Sequence, residues 1–248
     1  MSDWRDSARR RSLYRALVKG RVEVERRVGP SNGAKRALAA PARGNLSWIA
    51  AVYGSDKGAT AHRYVDHYER HLGPLRHHVM SVLEIGIYRG ASLQMWRDYF
   101  PNAEVYGLDI NDVSVQGGGD RLHVLRGDQS DDALLARIRE LGPFDVIIDD
   151  GSHFGSDVHV TFAGLFESLQ ADGMYVIEDM HTAYQPDYGG GPPGHPCTSV
   201  TLVQSLVDAV NRGHIADQYP QAAATMPEIT ALHVYPRIAF IQRSRRVD

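Results

Sequence analysis

The chain of 248 residues contains a single cysteine, Cys197. One thiol excludes an internal disulfide framework and a cysteine-rich zinc site. Long apolar runs are also missing. No stretch approaches the roughly 18 apolar residues of a membrane span. The N-terminus lacks the apolar core of a secretory signal, and its acidic residues Asp3 and Asp6 argue against a transit peptide. These absences lead us to expect a cytoplasmic protein. Lysine is scarce, with only Lys19, Lys35 and Lys57 among 27 basic residues.

A hydrophobic fraction of 43% supports a sizeable core, and 23% charged residues is ordinary for a globular chain. The net charge of −3 is unevenly spread. Residues 1–43 carry 12 Lys/Arg against four acids, a net of +8, which leaves −11 for the remainder. Residues 1–29 have a helical pattern, with Trp4, Leu13, Leu17, Val22 and Val28 apolar among many arginines, and Gly29-Pro-Ser-Asn-Gly33 ends it. We read a helical arm that serves oligomerisation, with a solvated basic face, and expect a homo-oligomer. The sharper alternative is an anionic partner, lipid headgroups or nucleic acid. No aromatic interleaving or recognisable motif supports it, so no nucleic-acid partner is expected. Residues 34–45 read as a linker. The chain thus divides into an arm and linker, 1–45, and a folded domain, 46–248.

The chemistry concentrates at the ends of two apolar runs. Phe144-Asp-Val-Ile-Ile-Asp-Asp-Gly-Ser-His153 reads as a buried β-strand that runs into a polar cluster. Adjacent carboxylates at a strand end repel each other unless a cation or donors sit between them. Gly173-Met-Tyr-Val-Ile-Glu-Asp179 repeats the pattern. In an open parallel sheet, ligands bind beyond the carboxyl ends of the strands. If these strands are neighbours, Asp150, Glu178 and Asp179 meet beside His153. Three hard oxygen ligands suit Mg²⁺, and a histidine beside them suits a general base. The plainer reading of His153 is a helix-start residue bonded to backbone. His181, close to Glu178-Asp179, is a second candidate base or acceptor contact.

Upstream, Val79–Gly90 reads as strand, glycine turn and helix start, with Glu84-x-Gly86-x-x-x-Gly90 at the turn. It lacks the dinucleotide pattern Gly-x-Gly-x-x-Gly, because Tyr88 and Arg89 follow Ile87. A carboxylate near the first glycine suits a positively charged ligand. Glu104-Val-Tyr-Gly-Leu-Asp109 is the second strand, and an acid at its end can accept both hydroxyls of a ribose; a strand-end cap is the alternative. Leu122–Arg126 is the third strand. Asp128 and Gln129 after it are placed to read an adenine, unless Asp128 only favours a turn and Ser130 caps the helix 131–140. Lys57, in the glycine-flanked loop 53–58, can reach a carboxylate or a substrate. Tyr64, Tyr68 and His71 share one face of a helix over 62–71 and read as a core stripe, with Tyr64 the alternative acceptor contact. A helix is expected over 156–170 and another over 198–211, with two final strands within 231–242 that turn at Pro236. The breaker-rich segment 185–196, with His195, is a lid or is disordered.

This order of elements, with Glu-x-Gly on the first strand and Asp on the second, resembles the class I S-adenosylmethionine-dependent methyltransferases, an α/β fold with a doubly wound, mostly parallel seven-stranded sheet and an antiparallel C-terminal hairpin. More narrowly, residues 53–242 resemble the magnesium-dependent sugar O-methyltransferases of actinobacteria. The carrying residues are Gly54-Ser-Asp-Lys-Gly58 with His62 and Tyr64, Glu84–Gly90, Gly127-Asp-Gln-Ser130, Asp149-Asp-Gly-Ser-His153, Ile177-Glu-Asp179 and Leu232–Ile241. The resemblance implies Mg²⁺ on Asp150, Glu178 and Asp179, His153 as base, and S-adenosylmethionine held by Lys57, Glu84, Gly86, Gly90, Asp109, Asp128, Gln129 and Asp149. Tyr64, His181 and His195 are candidate acceptor contacts, and the acceptor is a saccharide, a polysaccharide precursor or a glycoside. A methyltransferase-like protein without methylating activity, of the kind associated with antibiotic hydroxylation, and a nucleotide-dependent oxidoreductase on the same fold are the alternatives.

Overall fold

The computed structural model describes residues 32–58, 62–115 and 121–245, so the helical arm expected over 1–29 lies outside the described residues. Seven strands form a mostly parallel sheet with antiparallel C-terminal strands, as expected. The chain divides into two compact units that part between Gly127 and Asp128.

In the first unit the segment read as a linker is helical. Helix α1 spans Asn32–Ala39 and a 3-10 turn follows at Ala40–Ala42. The reason is its content of Ala34, Ala37 and Ala39, the strongest helix formers, between helix-tolerant Lys35, Arg36 and Leu38. Helix α2 (Leu46–Tyr53) starts where the Asn45 side chain accepts from the Trp48 N–H and stops at left-handed Gly54. Helix α3 (Val65–Leu72) begins later than the sequence suggested. Strand β1 (Ser81–Ile85), helix α4 (Ala91–Tyr99), β2 (Glu104–Asp109) and β3 (Leu122–Arg126) follow. β1 and β3 pair in parallel with opposite sides of β2. Gly107 lets this layer close, because a Cβ there would lie 2.7 Å from Ile87 and 2.9 Å from Leu93.

In the second unit, helix α5 (Asp132–Arg139) is capped by Asp131, which accepts from the Ala133 and Leu134 N–H groups. The cap is therefore Asp131 and not Ser130, whose N–H and hydroxyl both turn back to Asp128. Strand β4 (Phe144–Asp149) lies parallel to β5 (Leu169–Ile177), with Asp149 in register with Ile177. Helix α6 covers Gly155–Leu165 and ends five residues short of the expected limit. There the Ser168 hydroxyl donates to the Leu165 carbonyl, and Leu169 and Gln170 already belong to β5. The expected helix over 198–211 is two pieces, α7 (Ser199–Ser205) and α8 (Val207–Val210). A reciprocal Thr198–Thr201 cap starts α7. Helices α9 (Arg212–Gln218) and α10 (Pro220–Ala224) were not foreseen. Strands β6 (Ile229–Tyr235) and β7 (Ile238–Arg243) form the antiparallel hairpin, and β7 also pairs antiparallel with β5. Strands β4 and β7 are almost wholly buried, whereas β6 is only partly covered.

Candidate active site

The pairing of β4 with β5 carries the two acidic strand ends to one place. The Glu178 N–H still donates to the Asp149 carbonyl at 3.0 Å, so the ladder continues one residue past β5. Asp179 then adopts a left-handed conformation with φ 50°, and His153, after the Asp150-Gly-Ser turn, adopts another with φ 59°. Such backbone costs about 1–3 kcal/mol per residue, and histidine and aspartate are among the side chains that tolerate it best. The outcome is a group of three. One side-chain donor atom each from Asp150, His153 and Asp179 lies within 4.8 Å of the others, and all three residues are half-buried. His153 Nε2 stands 3.8 Å from Asp179 Oδ2, and His181 Nδ1 stands 3.9 Å from Asp179 Oδ1. Glu178 is not in this group, and at 4% exposure it is buried. The structure therefore joins Asp150 and Asp179 with His153, where the sequence placed Glu178 as the third ligand.

The group rests on a hydrogen-bonded frame. The Thr182 hydroxyl lies 3.2 Å from the His153 carbonyl and 2.9 Å from the Asp179 carbonyl, so one buried hydroxyl ties both left-handed residues. Ser152 Oγ donates to Asp157 Oδ2 at 2.7 Å. Gln129 is also structural. Its Nε2 donates to Asp149 Oδ1 and Thr161 Oγ1, and its Oε1 accepts the Ser152 N–H at 2.7 Å. With those bonds made, Gln129 latches the turn after β4. Burial pushes the Asp149 carboxyl up to about 7, against the opposing pull of the Gly151 N–H and the Gln129 amide, and neighbouring Asp150 adds to the rise. A cationic ligand brought close would favour its ionised form.

The segment 185–196 is a folded loop. Its Gly190 and Gly191 N–H groups bond to Gln185 and Ala183, and the His195 N–H bonds to Pro192. Tyr188 from this loop lies 6.2 Å, ring to ring, from His153 and 5.8 Å from Phe154. Burial and the charge of Asp179 both raise its phenol above the ordinary range. Sequence reasoning missed Tyr188 and Thr182. The only signal for Tyr188 was an aromatic side chain among turn-forming residues, and Thr182 gave none. His195 is not among the residues that gather around Asp179.

The first unit holds the glycine turn. Gly86 and Gly90 both have positive φ, and a Cβ on Gly90 would meet Val115 at 2.5 Å. Asp109 closes this turn: its Oδ2 accepts from the Ile87 and Tyr88 N–H groups, and its Oδ1 accepts from Asn111 twice. Glu84 is wholly buried and holds Ser92 Oγ, Trp96 Nε1 and Lys57 Nζ at 2.8, 3.2 and 3.4 Å. Lys57 and Glu84 thus face each other in the core at 0% exposure. They form an internal pair that shapes the turn. Tyr64, at 1% exposure and stacked on His62, lies in the core as well.

No family model matches the chain. Individual relatives do. The mycinamicin VI 2''-O-methyltransferase of Micromonospora griseorubida is 39% identical over 212 residues, 81% of this chain and 53% of the relative. The 8-demethyl-8-(2-methoxy-alpha-L-rhamnosyl)-tetracenomycin-C 3'-O-methyltransferase of Streptomyces olivaceus is 39% identical over 217 residues, 83% of this chain and 55% of the relative. The solved structure of MycE methyltransferase in complex with Mg and SAH superimposes with a TM-score of 0.73 at 38% identity, over 81% of this chain and 54% of MycE. The chain belongs to the class I S-adenosylmethionine-dependent O-methyltransferase family. It spans about half the length of the curated relatives it matches. Within that family frame, the acidic ends of β4 and β5 and the glycine turn after β1 are the features the sequence singled out.

Proposed function

We propose that this chain transfers a methyl group from S-adenosylmethionine to a sugar hydroxyl of a glycoside, with Mg²⁺ as the assisting ion. The observation that carries the reading is the convergence of Asp150, His153 and Asp179 within 4.8 Å, in a chain 38% identical to a methyltransferase solved with Mg and SAH. A further MycE structure contains Mg, SAH and mycinamycin VI.

The donor set fits the ion. Two carboxylates that can approach each other this closely repel unless a cation is shared, and hard oxygen ligands are those Mg²⁺ prefers. Asp150 and Asp179 would hold it, with Glu178 adjoining. When bound, the ion supplies Lewis acidity that eases ionisation of an acceptor hydroxyl, and the sulfonium cofactor supplies an activated methyl. His153 accepts the proton that the hydroxyl sheds. Asp179 stabilises the imidazolium that results. Tyr188 shields the ring from bulk water, and Thr182 fixes the backbone on which both groups stand. On the donor side we assign Asp109 and the Gly86–Gly90 turn to the nucleoside half. Asp128 belongs to the adenine side, and Asp149 lies near the methionine part, where it meets positive charge.

The test is transfer of label from methyl-labelled S-adenosylmethionine to a panel of mannosides, rhamnosides and other deoxyhexosides, with Mg²⁺ and with EDTA. Labelling of a glycoside that EDTA abolishes is the expected result. Transfer that persists in EDTA would remove the ion from the reading. No transfer, together with no binding of S-adenosylhomocysteine, would leave the oxidoreductase or non-methylating alternative in its place.

A further inference from the structure

In the first unit, α1 and α2 leave two large apolar side chains in water beside each other. Leu38 is 56% exposed and Trp48 is 48% exposed. They belong to one spot, because the Trp48 Nε1–H donates to the Leu38 carbonyl at 3.1 Å. That bond satisfies the indole's one donor, so what Trp48 presents to water is its apolar ring system. Ala37, Ala40 and Pro41 are exposed as well. The rim is basic. Lys35 stands three residues before Leu38 on the same helix, so the two are neighbours on its surface. Arg43 is exposed, and Arg76 Nη1 comes within 4.0 Å of where a Cβ on the adjoining Gly44 would stand. Between Glu25 and Asp56 the chain carries Arg26, Arg27, Lys35, Arg36 and Arg43 and no acid.

We propose that this face docks on an anionic lipid surface, with Leu38 and Trp48 seated at the boundary of headgroups and acyl chains and Lys35, Arg43 and Arg76 against the headgroup charge. No helix among the described residues is long and apolar enough to cross a membrane, so the attachment is peripheral. Three points favour this occupant. An indole with its N–H bonded and its rings bare suits the membrane interface, and an aliphatic neighbour adds acyl contact. A second copy of the chain placed symmetrically here would set like charges against each other. Nucleic acid rewards donors to phosphates and base edges, and Leu38, Ala37 and Ala40 have no side-chain donor to give. The basic residues supply attraction that salt screens, and the apolar pair makes this face, rather than the charge alone, the point of contact. The inference concerns docking only and stands apart from the reaction proposed above.

The experiment is co-sedimentation of the full chain with vesicles of phosphatidylcholine alone and of phosphatidylcholine mixed with phosphatidylglycerol, at low and high salt. The mixed vesicles should retain the protein and release it as salt rises, and the neutral vesicles should retain little. Lys35→Ala combined with Arg43→Ala should lower partitioning about 25-fold, at about fivefold for each basic residue. Leu38→Ser combined with Trp48→Ser should lower it about tenfold or more at unchanged charge. Circular dichroism checks that each variant is folded. Independently of those variants, bromine-labelled acyl chains should quench the tryptophan emission of the unaltered chain, and quench it less in Trp48→Phe. Equal retention by the two kinds of vesicle would overturn the proposal. So would retention that the Leu38 and Trp48 changes leave unaltered, because adsorption through basic residues alone needs no apolar face. Binding of duplex DNA tighter than binding of the mixed vesicles would give the face to nucleic acid. A change of oligomeric mass on altering Leu38 and Trp48, measured by light scattering without lipid, would give it to a second copy, and either result overturns the lipid reading.

Discussion

His153 and Asp179 do two jobs with one conformation. Their left-handed backbones aim both side chains at Asp150, and Thr182 holds the two carbonyls in that arrangement. Two substitutions separate these roles. His153→Asn keeps a residue tolerant of positive φ and removes the proposed base, so kcat should fall roughly 10²–10⁴-fold with Mg²⁺ affinity nearly retained. A large loss of Mg²⁺ affinity, read by calorimetry, would make His153 a ligand instead. Thr182→Val removes the hydroxyl while keeping shape, and a lost bond of this kind costs about 0.5–1.5 kcal/mol. The concentration of Mg²⁺ giving half-maximal rate should rise several-fold while binding of S-adenosylhomocysteine is unchanged. Of these residues, Asp150, His153 and Asp179 could be named from the sequence, because adjacent acids at the ends of apolar strands are conspicuous. Thr182 could not, since its role depends on a bend at Asp179 that no pattern announces.

The elements that position the site are β4, β5 and the turn that follows each. Parallel pairing of β4 and β5 was legible because both runs are apolar, β-branched and end in acids, the mark of strands covered on both faces. The left-handed bend after β5 was not legible. Gln129 shows the same limit. A polar residue after β3 drew attention as a base reader, and its hydrogen bonds to Asp149, Thr161 and Ser152 were not legible. Packing at that turn is close: a Cβ on Gly151 would sit 1.9 Å from Gln129 Oε1. Gly151→Ala should therefore destabilise the protein by about 1–3 kcal/mol, the usual scale of overpacking. Adding Gln129→Ala should restore part of that loss, and the urea midpoints of the two single variants and the double variant test it. If the double variant loses the sum of the single losses, the clash is not the cause. The helix at 32–39 is the opposite case, where local propensity was present in the alanines and a boundary was drawn through it.

At the scale of the whole molecule the charge divides unevenly, with +8 in residues 1–43 and −11 in the rest. An acidic body with carboxylates gathered at one site gains stability from any cation it binds in the folded state. At a hundredfold excess over its Kd, Mg²⁺ adds about 2.7 kcal/mol, worth roughly 2–4 °C of Tm per kcal/mol in a chain of this size. Thermal unfolding with Mg²⁺ and with EDTA should differ by several degrees, and Asp150→Asn should remove the difference. A shift that survives in Asp150→Asn would place the ion elsewhere. The fold class was readable from the order of apolar runs, and the small helices after 211 were not, since they lack a long apolar stripe. The two left-handed side chains have a last consequence. Glycine at 153 or 179 would relax the backbone and, on the proposed function, remove the chemistry, so selection for thermal stability alone would drift toward inactive sequences. A directed-evolution campaign on this chain must hold both positions fixed or screen for turnover at every round.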